Sequence, residues 1–129
     1  MGGIAVAYVV VPDLLDYLRA TFQPGSAVSY DRRFSEVRQV PFLVLDDLGA
    51  HSATDWAQEK LFQILNNRYI SGSPTVLTIS SAGWEKLDER LRVRLENVDR
   101  CAHIVLDCPP YRGREAERSA PRRTTRRRE

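Results

Sequence analysis

Hydrophobic positions along the chain alternate between short runs rich in β-branched residues and longer stretches with helical periodicity. The first run, residues 4–11, is continuously apolar, as in a strand buried within a parallel sheet. Pro12 and Asp13 then open a helix, in which Leu14, Leu15 and Leu18 form the buried stripe. We expect this helix to end near residues 23–25.

The rest of the pattern predicts helix and strand in alternation. A short amphipathic helix over residues 30–38 precedes the strand 42–45. A long helix over residues 53–69 follows, with capping-box spacing between Ser52 and Asp55 and with Gly72 as its stop. A strand at 74–79, a charged helix at 88–95 and a last strand at 102–106 complete the order. Strands separated by helices predict an α/β fold, a parallel sheet with helices on both faces.

The charge is divided unevenly between the body and the end of the chain. Residues 1–111 contain nine Arg, two Lys and fourteen acidic residues, a net charge of −3, whereas residues 112–129 contain eight Arg and three acidic residues, a net charge of +5. The charge-rich, apolar-poor end predicts a disordered tail beyond one domain at residues 1–111. Such a tail attracts nucleic-acid phosphates, including nonspecific binding of single-stranded DNA, or is a solvated appendage without a role, or results from out-of-frame translation.

The apolar runs are all too short to span a bilayer, and no basic residue precedes the first of them. We therefore expect a cytoplasmic protein without a membrane partner.

Two carboxylates follow the apolar strand 42–45 directly, at Asp46 and Asp47. In parallel α/β sheets, chemistry is located beyond the carboxyl ends of the strands. One acid there can hold Mg²⁺ and the other can orient an attacking water, as in a Walker B element. Apolar runs that end in Asp-Asp also occur in phosphate-accepting receiver domains and as plain strand ends, so the motif alone leaves three interpretations open.

The surrounding sequence resembles the DnaC-like helicase loaders and their IstB-like transposition relatives, which are AAA+ ATPases. The resemblance covers about residues 5–112. Its blocks are VPDLL at 11–15, SYD at 29–31, LDDLGA at 45–50, WAQEKLF at 56–62, NRY at 67–69 and PTV at 74–76. It implies a partial AAA+ P-loop NTPase core, with ATP and Mg²⁺ as cofactors and a replicative helicase or a transposase as partner.

The resemblance also implies roles for individual residues. Asp46 matches the acid that binds Mg²⁺, and Asp47 matches the catalytic acid that positions water. Ser80 lies where the family usually has a sensor Asn, so this chain departs from the pattern at that position. Arg94 matches the arginine finger that reaches the nucleotide of a neighbouring subunit, and Arg90 matches a supporting arginine. The finger implies a homo-oligomer, whereas without it this segment would be a solvated charged helix.

A phosphate loop of the form GxxxxGK[ST] is absent from the sequence, which contains no Gly-Lys pair. In the family, this loop precedes the strand that begins the present sequence. We therefore expect that an upstream start was missed, that the gene is broken, or that the product is a noncatalytic remnant. A missing central strand and helix would leave apolar surface uncovered and favour self-association.

Three functions remain open after the sequence analysis. The first is an ATP-dependent helicase loader, with the transposition helper as its close variant. The second is a nucleotide-free adaptor that binds a helicase, a partner ATPase or DNA. The third, a receiver-like signalling domain, is the weakest, because it would need a further strand-end Asp and a lysine that ends a late strand.

Overall fold

The computed structural model describes residues 3–22, 27–50 and 54–109, with only the backbone for residues 27–29. Three strands and five helices follow one another along the described chain: β1 (Val6–Val10), α1 (Val11–Thr21), α2 (Ala27–Gln39), β2 (Phe42–Leu48), α3 (Asp55–Ser71), β3 (Thr75–Ile79), α4 (Ser81–Lys86) and α5 (Glu89–Leu95). The predicted tail, Ser52 and the predicted end of the first helix at residues 23–25 lie outside the described residues.

The strands form a parallel sheet in the order β1-β2-β3. Because β2 lies in the centre, its residues pair with both neighbours: Val44 is opposite Tyr8 on one side and Val76 on the other. The α/β class and the parallel sheet predicted from the sequence are therefore confirmed. The second apolar run forms a longer strand than predicted, which continues through Asp46 and Asp47 to Leu48.

The core lies on one face of this sheet. Leu43 and Leu45 of β2 are fully buried, and each buried Leu side chain contributes about 1.5–3 kcal/mol. The buried helical residues that complete this core come from four helices: Leu14, Leu15, Leu18, Val37, Leu61, Ile64 and Leu91. On the opposite face, Val6 and Tyr8 are 61% and 63% exposed. Helices were expected on both faces of the sheet, but within the described residues they cover only the face that carries Leu43 and Leu45.

A buried arginine joins the amino-terminal ends of two strands. Arg68 of α3 is 1% exposed. Its guanidinium donates to the carbonyl oxygens of Arg38, Val40 and Pro74 at 3.2, 2.6 and 2.8 Å and to Thr75 Oγ1 at 2.8 Å. These acceptors lie at the end of α2 and at the starts of β2 and β3. Arg68 therefore links three elements, and burial lowers the pKa of its guanidinium.

The ends of α3 show how local sequence sets a helix boundary. The capping-box prediction was wrong, because the N-cap is Thr54, whose side chain accepts from the Ala57 N–H at 3.2 Å, and the helix begins at Asp55 rather than at residue 53. Thr54 has the extended backbone and the hydroxyl that an N-cap requires. The predicted stop at Gly72 is confirmed, since Gly72 adopts the left-handed conformation with a φ of 69°.

Two further predictions need correction. The segment 102–106 is not a strand, and its apolar residues Ile104 and Val105 are 83% and 86% exposed. A strand requires a neighbour for its N–H and C=O groups, and the described residues provide none for this segment, so β-branched composition alone was not sufficient. The short helix α4 was missed, because its six residues are too few to show a helical period.

Candidate functional site

Asp46 is held at the carboxyl end of β2 by hydroxyl groups from both neighbouring strands. The phenol of Tyr8, on β1, donates to Asp46 Oδ2, and the hydroxyl of Thr78, on β3, donates to Asp46 Oδ1. Both carboxylate oxygens therefore accept a hydrogen bond from the protein. The predicted Mg²⁺ ligand is thus fixed by two groups that sequence reasoning did not select.

The register of the sheet explains this arrangement. Tyr8, Val44 and Val76 lie side by side across the three strands. Side chains two residues apart share a face of a strand, so Asp46 and Thr78 follow Val44 and Val76 on the face that Tyr8 occupies. The signal was present in the sequence as polar groups within otherwise apolar strands, but it could be used only once the register was known.

The two hydroxyls stabilise the charged form of Asp46. Its pKa is lowered below the ordinary carboxyl value, chiefly by the Thr78 hydrogen bond and then by the Tyr8 hydrogen bond. In the opposite direction, the hydrogen bond to Asp46 raises the pKa of the Tyr8 phenol. At neutral pH the pair therefore consists of an ionised carboxylate and a protonated phenol, and the carboxylate is ready to bind a cation.

Asp47 has a backbone conformation that is rare for residues other than glycine. Its φ is 61°, in the left-handed region, and the pairing of β2 with β3 shifts between Leu45 and Leu48. The Asp47 N–H donates to Thr78 Oγ1 at 3.0 Å. Left-handed backbone of this kind costs roughly 1–3 kcal/mol and is concentrated at functional sites. This irregularity within β2 leaves Asp47 exposed, next to Asp46.

Ser80 acts in the structure as a helix cap. Its Oγ accepts from the Gly83 N–H at 3.0 Å, and this bond begins α4. Within the described part of the chain, the β3 hydroxyl that hydrogen-bonds Asp46 belongs to Thr78, two residues earlier. The sensor role implied for Ser80 stays a prediction.

The two candidate finger arginines lie on α5, against α3. Arg90 donates to Asp88 Oδ2 at 2.9 Å and to Glu59 Oε2 at 3.4 Å, and its guanidinium lies 3.9 Å from the centre of the Phe62 ring. Arg94 donates to Asn66 Oδ1 at 2.9 Å and to the Arg90 carbonyl at 2.8 Å.

Both arginines are therefore engaged within the chain. No hydrogen bond among the described residues joins either of them to Asp46 or Asp47. A role toward a neighbouring subunit would require Arg94 to leave Asn66, and the finger assignment stays a prediction.

The carboxylates at the carboxyl end of β2 suit only one kind of metal site. Across residues 3–22, 27–50 and 54–109, no group of three or more His, Cys, Asp or Glu side chains could hold a metal ion. Mg²⁺, however, usually keeps several waters and binds through one or two carboxylates together with substrate phosphates. An ionised Asp46 fits that mode.

Comparison with solved structures identifies the class of fold. The chain is similar to the crystal structure of a DNA replication initiation factor, with a TM-score of 0.61, 23% identity and coverage of 73% of this chain and 29% of the other. DnaA from Aquifex aeolicus bound to AMPPCP gives the same values. DnaA bound to AMPPCP and single-stranded DNA gives a TM-score of 0.60 at 21% identity over 74% of this chain and 30% of that one. At these identities the likeness establishes the α/β fold alone, which the chain shares with part of these structures.

The sequence comparison then identifies the family. Residues 1–107 match the model of the IstB-like ATP binding proteins, and the chain belongs to that family. Among curated proteins, the phage-like element PBSX protein XkdC of Bacillus subtilis (strain 168) is 31% identical over 72 residues, which is 50% of this chain and 27% of that protein. The chain thus spans under a third of the length of the relatives it matches.

None of the described helices is both long enough and apolar enough to cross a membrane.

Proposed function

We propose that this chain supplies the metal-binding and water-positioning side of an ATP site, in an AAA+ ATPase of the helicase-loading type. The observation that supports the proposal best is the Asp46 carboxylate, ionised and hydrogen-bonded from both flanking strands at the end of the central strand. Strand ends of this kind are where parallel α/β folds bind nucleotides. Membership of the IstB-like ATP binding family supports ATP as the nucleotide.

In this proposal the two acids have different tasks. Asp46 holds Mg²⁺, directly or through water, and the metal neutralises charge on the transferred phosphate when it is bound. Asp47 is exposed beside it and orients the attacking water. Ser80 has the hydroxyl of a sensor near the same edge. The sequence contains no GxxxxGK[ST] motif, so the proposed site is complete only when a phosphate loop is supplied.

The oligomer and the partners follow from the same proposal. Arg94, supported by Arg90, would reach the nucleotide of an adjacent copy after exchanging its bond to Asn66 for a phosphate oxygen. The partner would be a replicative helicase or, in the transposition variant, a transposase. Single-stranded DNA would be bound through phosphate contacts, a role for which the basic residues 112–129 are suited.

A nucleotide-free adaptor is the second candidate. It is favoured by the lack of a Gly-Lys pair and by the net charge of +5 in residues 112–129. Such a protein would bind DNA or a partner ATPase without using Asp46.

Equilibrium binding of Mg²⁺-ATP and of single-stranded DNA, measured with the same preparations of the protein together with a segment that supplies the phosphate loop, separates the two candidates. The ATPase proposal predicts that Asp46→Asn abolishes Mg²⁺-ATP binding, whereas Asp16→Asn, on the exposed side of α1, leaves it unchanged. Equal Mg²⁺-ATP affinity in wild type and Asp46→Asn would reject the proposal. The adaptor would be established if neither protein binds ATP and if both bind DNA with the same salt-sensitive affinity, because Asp46→Asn then has no effect.

A further inference from the structure

We infer that Tyr8 and Thr78 are positioning residues of the metal site, which hold the Asp46 carboxylate in the orientation that receives the cation. The inference rests on the proposed function and deepens it, because it assigns two residues that neither the motif nor the family match singles out. Its basis is the pair of hydroxyl hydrogen bonds, one to each oxygen of Asp46.

The geometry leaves room for a cation. A carboxylate has about four lone-pair sites on its two oxygens. Tyr8 and Thr78 occupy one site on each oxygen. The remaining sites can accept metal-bound water while the hydroxyls stop the carboxylate from rotating. Donors placed in advance reduce the ordering that binding would otherwise require.

Thr78 also connects the two acids. Its Oγ1 accepts from the Asp47 N–H at 3.0 Å while its own proton is donated to Asp46. One threonine hydroxyl therefore fixes the Asp46 carboxylate and the left-handed backbone of Asp47 together. Among the described residues, the Tyr8 phenol hydrogen-bonds Asp46, whereas the Asp47 N–H is bonded by Thr78, so the two hydroxyls are expected to differ in their effects on Asp47.

A role in fold stability alone does not account for this arrangement. Tyr8 is 63% exposed and Thr78 is exposed as well. Exposed hydroxyls can exchange their protein partner for water at little cost, so these bonds contribute little to folding. Their effect should therefore appear in the orientation of Asp46 and in metal binding.

The test uses Mn²⁺ without nucleotide as the probe. Paramagnetic broadening of the Asp46 and Asp47 resonances, followed in a Mn²⁺ titration by NMR, reports the affinity at this edge. We expect Tyr8→Phe and Thr78→Val each to weaken the apparent affinity about threefold to tenfold, the loss of one hydrogen bond. Thr78→Ser retains the hydroxyl and should restore the affinity. Tyr17→Phe, which removes an exposed phenol on α1, should leave it unchanged.

Amide hydrogen exchange provides a second, metal-free readout. Thr78→Val should accelerate exchange of the Asp47 amide about tenfold, because it removes the acceptor of that N–H. Tyr8→Phe and Thr78→Ser should leave this rate near the wild-type value. A merely structural role would instead move the exchange rates of the whole sheet together.

The inference and the proposed function can fail separately. Equal Mn²⁺ affinity in wild type, Tyr8→Phe and Thr78→Val, or no broadening near Asp46 in the wild type, would overturn the inference. Mn²⁺ binding that depends on both hydroxyls, in a protein that does not bind Mg²⁺-ATP even when a phosphate loop is supplied, would support the inference and reject the ATP site.

Discussion

The backbone of Gly49 lies so close to that of Gly83 that a Cβ on Gly49 would be 2.6 Å from the Gly83 Cα. Gly49 follows the acidic pair, and Gly83 lies in α4, so this contact places α4 directly against the loop beyond Asp47. Gly49 also has a φ of 90°, which L residues rarely adopt. Only glycine at position 49 therefore allows this contact without strain.

Gly49→Ala should lower the free energy of unfolding by at least about 2 kcal/mol, because strained backbone and steric overlap add. Gly72→Ala is the matched control, since Gly72 has a φ of 69° but open space around its Cα. It should cost only about 1 kcal/mol. Urea denaturation of both variants measures the difference. Equal losses would show that the Gly83 contact contributes nothing.

Replacing Arg68 should be the most damaging single change in the core. Arg68→Met would leave three carbonyl oxygens and the Thr75 hydroxyl without their hydrogen-bond donor in a buried site. We expect it to lower the free energy of unfolding by about 3–5 kcal/mol. Arg68→Lys should recover only part of it, because an ammonium lacks the planar fork that reaches all four acceptors.

Thermal and urea unfolding would measure both Arg68 variants. Arg33→Met, which removes a surface pair with Glu36, is the control and should cost under about 0.5 kcal/mol. A loss for Arg68→Met no larger than that of the control would contradict the linking role of Arg68.

The left-handed backbone of Asp47 predicts a trade-off, in which a side chain at this position lowers the stability of the fold but provides the proposed catalytic carboxylate. Asp47→Gly should be more stable than Asp47→Ala by about 1 kcal/mol, because a Cβ is costly at a φ of 61°. Both variants should lose the proposed water-positioning acid. Circular-dichroism melts of the two proteins test the stability order, and a more stable Ala variant would show that this conformation is not maintained in solution.

Asp88 predicts a pH dependence of stability. It caps α5 by accepting from the Arg90 N–H at 2.9 Å, and the Arg90 side chain, by its hydrogen bond, holds the pKa of Asp88 below the ordinary value of 3.8. A lowered pKa means that this stabilisation is complete above the unfolded value and is lost as pH falls through the folded value.

Asp88→Ala should therefore cost about 1 kcal/mol at neutral pH, as lost helix caps do. The difference from wild type should shrink on acidification below pH 3.8. Urea denaturation across the acid range would measure it. A difference that stays constant with pH would exclude Asp88 ionisation as its source.

The sequence alone determined most of the regular structure, because the spacing of apolar residues and the residues that end a helix or strand are local features. The leucine stripe of α1, the strand before Asp46 and the stop at Gly72 all depend on residues a few positions apart. The acidic pair could be selected for the same reason, since an apolar run that ends in two acids is visible without a fold. Membership of the IstB-like ATP binding proteins was likewise determined from the sequence alone.

Tertiary structure alone decided what surrounds that pair. Tyr8 and Thr78 lie 38 and 32 residues from Asp46 in sequence, and only parallel strands in this register bring their hydroxyls to its carboxylate. The segment 102–106 shows the converse, because its β-branched residues predict a strand that forms only where another strand offers hydrogen bonds. Pairing between distant segments depends on the whole fold, and local sequence does not encode it.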